Sequence, residues 1–523
     1  MKFSKYYITV IVVATLALQA CKKNALDTDP TDRLIDSYFW ASPNDAQYAV
    51  NAIYNQLPAI DYLYFDGASD NAFNQKTFER AYPFGNGTQD PATTAWSSDF
   101  WANAYKGIQR VNYFLENVDR TPNLSETLKK QYIGEARFLR AFFYNDLINL
   151  YGDVPLVTST LNTSNGSVKR DDKQKVFDFI ISELNEISTG YVLNAYTGTS
   201  IGRVTTGAVL ALKARAYLWQ NKYAEAKAAA KAVIDLNRYS LYGDYAGLFK
   251  YVAENNSEVI FDKQYLATTN SNNLSRLLSP RSSQGDGSLV PIRSLVDAYE
   301  CTDGKTIAES PLYDPNNPYE NRDPRLKASI ITPGSTWNGI LFNPTPGSGT
   351  PDMIASNVNA SITGFNFKKY VNLEDLAQNN NNGGINIILL RYADVLLTYA
   401  ESGIETNTVD NSVYDALNKV RRRAGIPAIA EGSKTMAQLK AIIRNERRVE
   451  LSLEGTRVFD IRRWKTAEIV MNQPALGMSY LKDGAMITVK AEDRKFNPAR
   501  DYLWPIPQRE IFVNKLLVQN PNY

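Results

Sequence analysis

Helical periodicity dominates the first half of the chain. Ser42-Pro43 is typical of a helix start, with a capping serine and a proline at the first helical position, and it predicts a helix to about Leu57. Residues 96–118 and 126–150 predict two further helices. In the second of these, apolar side chains recur every three or four residues along one face: Ala136, Leu139, Phe143, Leu147 and Leu150.

The segment from Thr205 to Asn237 carries the clearest architectural signal. Its small and aromatic residues recur as in a tetratricopeptide repeat, where small side chains let two antiparallel helices pack closely: Ala214, Tyr217, Ala226 and Ala230. A weaker unit of this kind extends from Leu390 to Gly425. Either unit taken alone also fits a generic amphipathic hairpin. Both interpretations predict a mainly α-helical fold.

Between about Ala267 and Gly384 the helical pattern gives way to Ser, Asn, Gly and Pro. Long irregular stretches in a compact protein are usually functional surface loops or disordered segments. Helices are expected to resume at Ile387, and the tail is expected to be extended from Tyr502. The predicted organisation is a signal peptide at 1–20, a helical region at 21–265, a loop-rich excursion at 266–385, and a C-terminal helical region with its tail at 386–523.

The N-terminus has the features of a targeting segment. Lys2 and Lys5 precede an uncharged, mostly apolar run from Tyr6 to Leu18, which is short of the ~20 residues that span a bilayer. Its ending is similar to a bacterial lipoprotein signal, in which a cysteine becomes the lipidated first residue, so Cys21 is the predicted acylation site. The alternative is an ordinary secretory signal with an incidental cysteine.

Composition excludes several classes of protein. The chain of 523 residues has no histidine, which removes Ser-His-Asp and Cys-His triads and every His-ligated metal site. Without the first twenty residues it would carry 55 basic and 55 acidic side chains. Nucleic-acid binding normally needs a clear basic excess, so no nucleic-acid partner is expected, and no pattern indicates a cofactor or a metal.

Two glutamates near the C-terminus admit two interpretations. Glu446 and Glu450 fall inside the apolar stripe of a predicted helix, about 5–6 Å apart at their β-carbons, which is near the separation of carboxylates in a retaining glycosidase. Alternatively, they are buried and paired with the many nearby arginines. We favour the second interpretation, a structural ion-pair network of these residues: Asp394, Glu401, Arg421, Glu446, Glu450 and Arg457.

Aromatic residues interleaved with amides and carboxylates form the candidate binding surface. Flat rings beside such groups provide the stacking and hydrogen bonds that a sugar or peptide ligand needs, although core packing is the usual fate of an aromatic side chain. The predicted ligand contacts are Tyr64, Phe65, Asp66, Asn71, Trp96, Tyr299 and Trp337.

A series of ordered segments resembles the SusD/RagB family of outer-membrane nutrient-uptake lipoproteins of Bacteroidetes, over essentially the whole chain. The segments include Trp101–Tyr105, Glu135–Ala141, Tyr151–Leu156, Asn321–Arg325, Leu390–Asp394, Glu446–Leu451, Arg457–Asp460, Trp504–Pro507 and Gln519–Tyr523. The resemblance implies a right-handed superhelix of tetratricopeptide-like helix pairs, covered on one side by an irregular subdomain with short strands.

The resemblance also implies a function. The family is anchored by lipid at a residue matching Cys21, faces the exterior, and caps a TonB-dependent (SusC-like) transporter to which it delivers oligosaccharides or, in some members, peptides. No catalysis is attributed to it. The expected function is therefore non-enzymatic substrate binding. The alternatives are a surface glycoside hydrolase using Glu446 and Glu450, and a periplasmic tetratricopeptide-like scaffold.

Overall fold

The computed structural model describes residues 39–162, 164–378 and 382–523. The predicted signal peptide and Cys21 lie outside the described residues. The helices of the first half are α1 (Pro43–Tyr54), α2 (Ala59–Tyr64), α3 (Tyr82–Asn86), α4 (Ala95–Asn117), α5 (Glu126–Tyr151), α6 (Lys173–Ile187), α7 (Thr206–Trp219) and α8 (Tyr223–Asp235). The prediction of a mainly α-helical fold is confirmed.

Shorter helices occupy the middle of the chain, and longer ones return after it. They are α9 (Leu274–Leu278), α10 (Arg293–Ala298), α11 (Pro324–Ser329), α12 (Leu373–Gln378), α13 (Tyr392–Glu405), α14 (Asn411–Arg423), α15 (Met436–Glu450), α16 (Arg457–Arg463), α17 (Ala467–Val470) and α18 (Gln508–Val513). The strands are β1 (Ala72–Asn74), β2 (Val259–Lys263), β3 (Leu289–Pro291), β4 (Ile330–Ile331), β5 (Thr336–Trp337), β6 (Ile340–Leu341), β7 (Asn366–Phe367), β8 (Ile387–Arg391), β9 (Ala475–Lys482) and β10 (Ala485–Glu492).

Paired helices form the frame of the molecule. Helices α7 and α8 make the predicted hairpin, and Asn221 in its turn has a positive φ of 56°, a conformation that asparagine tolerates better than most residues. Helix α13 packs against α8, α14 and α15, which links the two predicted units. The alanines at 214, 226 and 230 are buried, so the helix backbones approach one another closely.

The three helices predicted in the first half are confirmed within a few residues. Ser42 and Asp45 form a reciprocal capping box at the start of α1. The prediction that helices resume at Ile387 is wrong, because residues 387–391 form strand β8, which pairs antiparallel with β2. All five β8 residues are buried, and periodicity cannot distinguish a short buried strand from a buried helix.

Within the described ranges the strands pair only in twos, and most lie in or beside the loop-rich segment. The longest pair is the β9–β10 hairpin, which the sequence analysis did not predict. The small β5–β6 hairpin turns at Asn338 and Gly339, both with positive φ, as a tight two-residue hairpin turn requires. These hairpins project from the frame and supply walls for the site described below.

The C-terminal tail closes over the first helices. The Trp504 amide donates to the Leu150 carbonyl at 2.7 Å, and the Asn520 side chain donates to the carbonyls of Tyr151 and Trp504. The tail is not wholly extended, because it contains the short helix α18. Its return places Trp504, which is fully buried, between α3 and α4.

Candidate ligand-binding site

The residues predicted to contact a ligand are buried, with at most 6% of any of them exposed: Tyr64, Phe65, Asp66, Asn71, Trp96, Tyr299 and Trp337. The Phe65 and Trp96 rings lie 5.2 Å apart, and both pack on Trp504. Since these ring faces contact protein side chains, they offer no surface to a solute. The structure therefore corrects the prediction of ligand contact for this set, with the exception of Trp337, which borders a cavity described below.

We call the closed aromatic group the Trp504 cluster: Phe65, Phe84, Trp96, Phe100 and Trp504. Trp504 stacks on Phe84 with centroids 4.1 Å apart and an interplanar angle of 23°. The Trp96 indole nitrogen donates to Asp61 at 2.7 Å. Trp504 is about four hundred residues away in sequence, so its position over these rings could not be read from the local pattern.

The polar members of the predicted set also bond within the protein. Asp66 accepts from the Leu453 amide at 2.5 Å and from the Asn71 side chain at 3.2 Å. Burial raises the pKa of Asp66 to about 6. The Tyr299 hydroxyl lies 3.1 Å from the Ser452 hydroxyl. Asp66 holds the α15–α16 connection against the N-terminal region, and Tyr299 holds it against the loop-rich segment.

The acidic residues of the proposed structural network are buried and bonded to arginine. Asp394 bonds to Arg215 and Arg447, and Glu401 bonds to Arg463 at 2.6 Å. Arg457 bonds to Asp70 at 2.7 Å. Since a buried charge is tolerated only when it is paired and hydrogen-bonded, these pairs account for acidic residues on apolar helix faces.

The glutamates considered as a catalytic pair lie at the centre of this network. One Arg325 nitrogen lies 2.6 Å from Glu446 and 2.8 Å from Glu450. Arg391 also binds Glu450, at 2.6 Å, and Arg421 binds Glu446 at 3.0 Å. A guanidinium therefore occupies the space between the carboxylates that a substrate would need.

The electrostatic environment of Glu450 also differs from that of a catalytic acid. Burial by itself raises the pKa of Glu450, but the guanidinium groups of Arg423, Arg391 and Arg325 hold it below its ordinary value. A glycosidase acid needs the opposite shift. The arrangement fits a structural role for the two glutamates.

An open cavity, which we call the loop hollow, has a volume of about 860 Å³. It lies between the loop-rich segment and the β9–β10 hairpin. The rings of Tyr313, Tyr319 and Tyr480 line it, with the amides of Asn316 and Asn343. The exposed side chains of two hairpins, including Leu341, Leu481 and Met486, form its rim.

Arg293 connects helix α10 to the β9–β10 hairpin at the loop hollow. This residue begins α10, and its guanidinium donates to the hydroxyls of Ser479 at 2.6 Å and Thr488 at 3.2 Å. Ser479 and Thr488 face each other across the β9–β10 hairpin. The helix therefore fixes the angle at which the hairpin stands over the cavity.

Arg322 fixes the loop that carries the tyrosines. Its buried guanidinium donates to the backbone carbonyls of Val296, Tyr299 and Pro318, each at 2.7 Å. The Tyr313 ring lies over this group at 5.7 Å. The irregular backbone around the cavity is thereby bonded to the helical frame.

A second cavity, the adjoining hollow, shares Asn316 and Tyr319 with the loop hollow and has a volume of about 480 Å³. Its lining also includes Trp337, Glu320, Lys327 and Lys368. Trp337 is the one predicted ligand residue that borders either cavity. Its ring is buried, and only its position at the cavity wall matches the prediction.

The tyrosines at 313, 319 and 480 were not among the predicted ligand contacts. Two of them bracket the run Tyr313-Asp-Pro-Asn-Asn-Pro-Tyr319, in which aromatic residues alternate with turn formers inside an irregular segment. That combination was a usable signal, because turn residues keep rings near the surface. Tyr480 gave no comparable signal, since its hairpin was not predicted.

Metal binding gains no support from the part of the chain that the structure describes. Within it, no group of three or more His, Cys, Asp or Glu side chains is arranged to hold an ion. Cys301 is buried and outside any disulfide.

Comparison with protein families identifies the chain. A family model described as the SusD family matches residues 249–523, which is more than half of the sequence. The chain belongs to the SusD family. A second model, described as starch-binding and associating with the outer membrane, matches residues 7–218.

Known proteins agree with this assignment. A SusD-like protein of Formosa agariphila is 27% identical over 488 residues, covering 87% of this chain and 89% of the relative. A SusD-like carbohydrate-binding protein of Bacteroides fragilis has a TM-score of 0.83 at 28% identity and covers 92% of this chain and 100% of its own. Another SusD-like protein of that organism has a TM-score of 0.81 at 27% identity, covering 95% and 100%.

The family description associates these proteins with the outer membrane. Among the described residues, no helix combines the length and the apolar character needed to cross a bilayer.

Proposed function

We propose that this SusD-family protein is a non-enzymatic lipoprotein of the outer membrane that captures oligosaccharides in the loop hollow. In this proposal acylated Cys21 anchors the chain facing the exterior, and the protein delivers its ligand to a TonB-dependent transporter. The structure of the loop hollow carries the ligand-binding part of the proposal.

The loop hollow has the chemistry that a sugar chain requires. Three tyrosine rings offer apolar faces, and the amides of Asn316 and Asn343 offer donors and acceptors for hydroxyl groups. A volume of about 860 Å³ lies within the ordinary range of small-ligand sites, roughly 300–1,000 Å³. The relative from Bacteroides fragilis described as carbohydrate-binding supports the same ligand class.

The positions and partners of the acidic residues support binding without catalysis. Glu446 and Glu450 are held by arginines, and the lining of the loop hollow contains a single carboxylate rather than a pair. Asp297, the acidic residue in its lining, is 3.2 Å from the Arg293 guanidinium.

Calorimetric titration with a panel of oligosaccharides tests the binding site. We expect Tyr313→Ala to weaken binding of the responding glycan about threefold to tenfold, since aromatic contacts contribute roughly 0.5–1.5 kcal/mol. Tyr48→Ala is the matched control, because Tyr48 is an exposed tyrosine on α1 that lines neither cavity. Equal affinity in both variants would remove the loop hollow from the binding role.

Two measurements on cells test the anchor and the delivery step. Cys21→Ala should release the protein from the membrane fraction, and protease added to intact cells should degrade the wild-type protein. Solubilised membranes should yield a complex with a TonB-dependent transporter. Degradation only after cell lysis would instead favour a periplasmic scaffold. Cleavage of any panel glycan by purified protein would favour an enzyme.

A further inference from the structure

More basic than acidic side chains line the two cavities. Four basic side chains line them, Arg293, Arg322, Lys327 and Lys368, against two acidic ones, Asp297 and Glu320. The chain that follows the predicted signal peptide is balanced, with 55 basic and 55 acidic residues. The excess of positive charge is therefore a local property of the cavities.

Both acidic residues are already paired. Asp297 bonds to Arg293 at 3.2 Å, and Glu320 bonds to Lys327 at 2.9 Å. These ion pairs neutralise Arg293 and Lys327. The other two basic side chains are Arg322 and Lys368.

Arg322 and Lys368 are satisfied by carbonyl groups rather than by carboxylates. Arg322 donates to three backbone carbonyls beneath the loop hollow, and the Lys368 ammonium donates to the Lys327 carbonyl at 3.2 Å. Neither forms an ion pair with any residue that the structure describes. A carbonyl oxygen satisfies a hydrogen bond without neutralising the charge. The nearby carboxylates of Asp297 and Asp323 partly offset the charge of Arg322, so Lys368 is the cation that has no neighbouring carboxylate among the described residues.

Trp337, in the wall of the adjoining hollow, carries an unsatisfied hydrogen-bond donor. Its indole N–H is buried and has no hydrogen-bond acceptor within the described chain. Indole is a donor only, and an unsatisfied buried donor is costly. Trp337 and Lys368 both line the adjoining hollow, and an oxygen-rich acidic group bound there would give the Lys368 ammonium an anionic partner.

We propose that the ligand is an acidic oligosaccharide, with uronate carboxylates or sulfate esters that are placed beside Lys368. This inference rests on the proposed role of the two cavities in glycan binding and adds the charge class of the ligand. Lys368 contacts an acidic group in the adjoining hollow, and Arg322 adds its charge from beneath the loop hollow. The tyrosines contact the sugar rings.

Matched ligands test the charge class. Oligogalacturonates and their methyl esters share rings and linkages but differ in charge, and chondroitin sulfate and desulfated chondroitin differ in the sulfate esters alone. Calorimetry should show the more acidic member of a pair binding at least about tenfold more tightly, as one charge-assisted hydrogen bond provides. Raising the salt concentration from ~0.05 to ~0.5 M should weaken that preference.

Variants at Lys368 test the contact. Lys368→Gln should reduce affinity for the acidic ligand about tenfold and leave the methyl ester unchanged, while Lys368→Arg should retain most of the preference. Lys434→Gln, at an exposed lysine outside both cavities, should change nothing.

Three further outcomes are distinguishable. Equal or tighter binding of the neutral ligands, sensitive to Tyr313→Ala, would overturn the acidic-ligand inference and leave the proposed glycan site intact. Failure of the whole glycan panel to bind would overturn the proposed function as well. Equal effects of Lys368→Gln on charged and neutral ligands would remove that lysine from the recognition of the acid.

Discussion

The Trp504 cluster and the loop hollow are built from similar residues and end in opposite environments. Each combines aromatic rings with nearby amides and carboxylates. In the Trp504 cluster the rings contact one another at 4.1–5.9 Å between centroids. In the loop hollow the tyrosines Tyr313, Tyr319 and Tyr480 border a cavity of about 860 Å³.

The difference lies in what covers the rings. The C-terminal tail returns to place Trp504 against α3 and α4, and its backbone bonds to α5. Over the loop hollow, the β9–β10 hairpin stands at one side and is held there by Arg293. A group of aromatic and amide side chains can therefore form either a binding surface or part of the core. It forms part of the core where another segment of the chain covers the rings.

Removing the covering ring should have the largest effect. Trp504→Ala should lower the free energy of unfolding by about 3–5 kcal/mol, since it leaves a large cavity among close-packed rings. Chemical denaturation measures the change. Phe512→Ala is the control, because that ring is 65% exposed. A loss below about 1 kcal/mol would show that the Trp504 cluster is not a tightly packed core.

A smaller but substantial loss is expected from Glu450→Gln. The substitution leaves Arg325, Arg391 and Arg423 buried with one fewer negative charge, at a cost of about 3 kcal/mol. Urea denaturation measures it, with Glu225→Gln at an exposed position as the control. Unchanged stability combined with lost glycan cleavage would restore the enzyme hypothesis.

The stability of the region around Tyr62, whose ring packs on Phe65 of the Trp504 cluster, should also depend on pH. Asp146 accepts from the Tyr62 hydroxyl at 2.7 Å, and burial raises its pKa to about 7. A raised carboxyl pKa favours the protonated form in the folded state, so this contribution to stability is present at low pH and lost as pH rises from about 4 to about 7.

Asp146→Asn removes that titration while keeping an acceptor for Tyr62. The stability of the variant relative to wild type should rise across the same pH interval, by at most about 1.4 kcal/mol per pH unit. Denaturation at several pH values measures it, with the exposed Asp415→Asn as the control. Parallel stability curves for Asp146→Asn and wild type would contradict the raised pKa.

The smallest effect on stability is expected in the loop hollow. Tyr313→Ala should change the free energy of unfolding by less than about 1 kcal/mol, the value of its contact with Arg322, while it weakens glycan binding. Thermal denaturation and calorimetry on the same sample measure both. A large stability loss would show that Tyr313 belongs to the core, as the rings of the Trp504 cluster do.

Much of the helical frame was predictable from the sequence. Local sequence patterns predicted the apolar stripe from Ala136 to Leu150, the Ser42 cap and the close packing of the α7–α8 hairpin. The structure has all three features. Glu446 and Glu450 were also informative, since acids inside an apolar stripe need arginine partners. The prediction failed at β8, a short buried segment without a distinctive period, and the β9–β10 hairpin was not predicted.

The candidate site was less predictable. Tyr64, Phe65 and Trp96 lie among turn residues in sequence, as Tyr313 and Tyr319 do, yet only the second group borders a cavity. The two groups look alike at the level of neighbouring residues. The local sequence pattern does not predict whether a side chain will be buried by residues that are hundreds of positions away.

The sequence alone determined the helices, the family, the absence of histidine chemistry and the need to neutralise buried acids, because each depends on residue type or on spacing within a few turns. Only the tertiary structure decided which aromatic group is open, where the paired and unpaired cations lie, and which helix holds the hairpin. These properties depend on contacts between distant segments, and their positions are set by the packing of the whole chain.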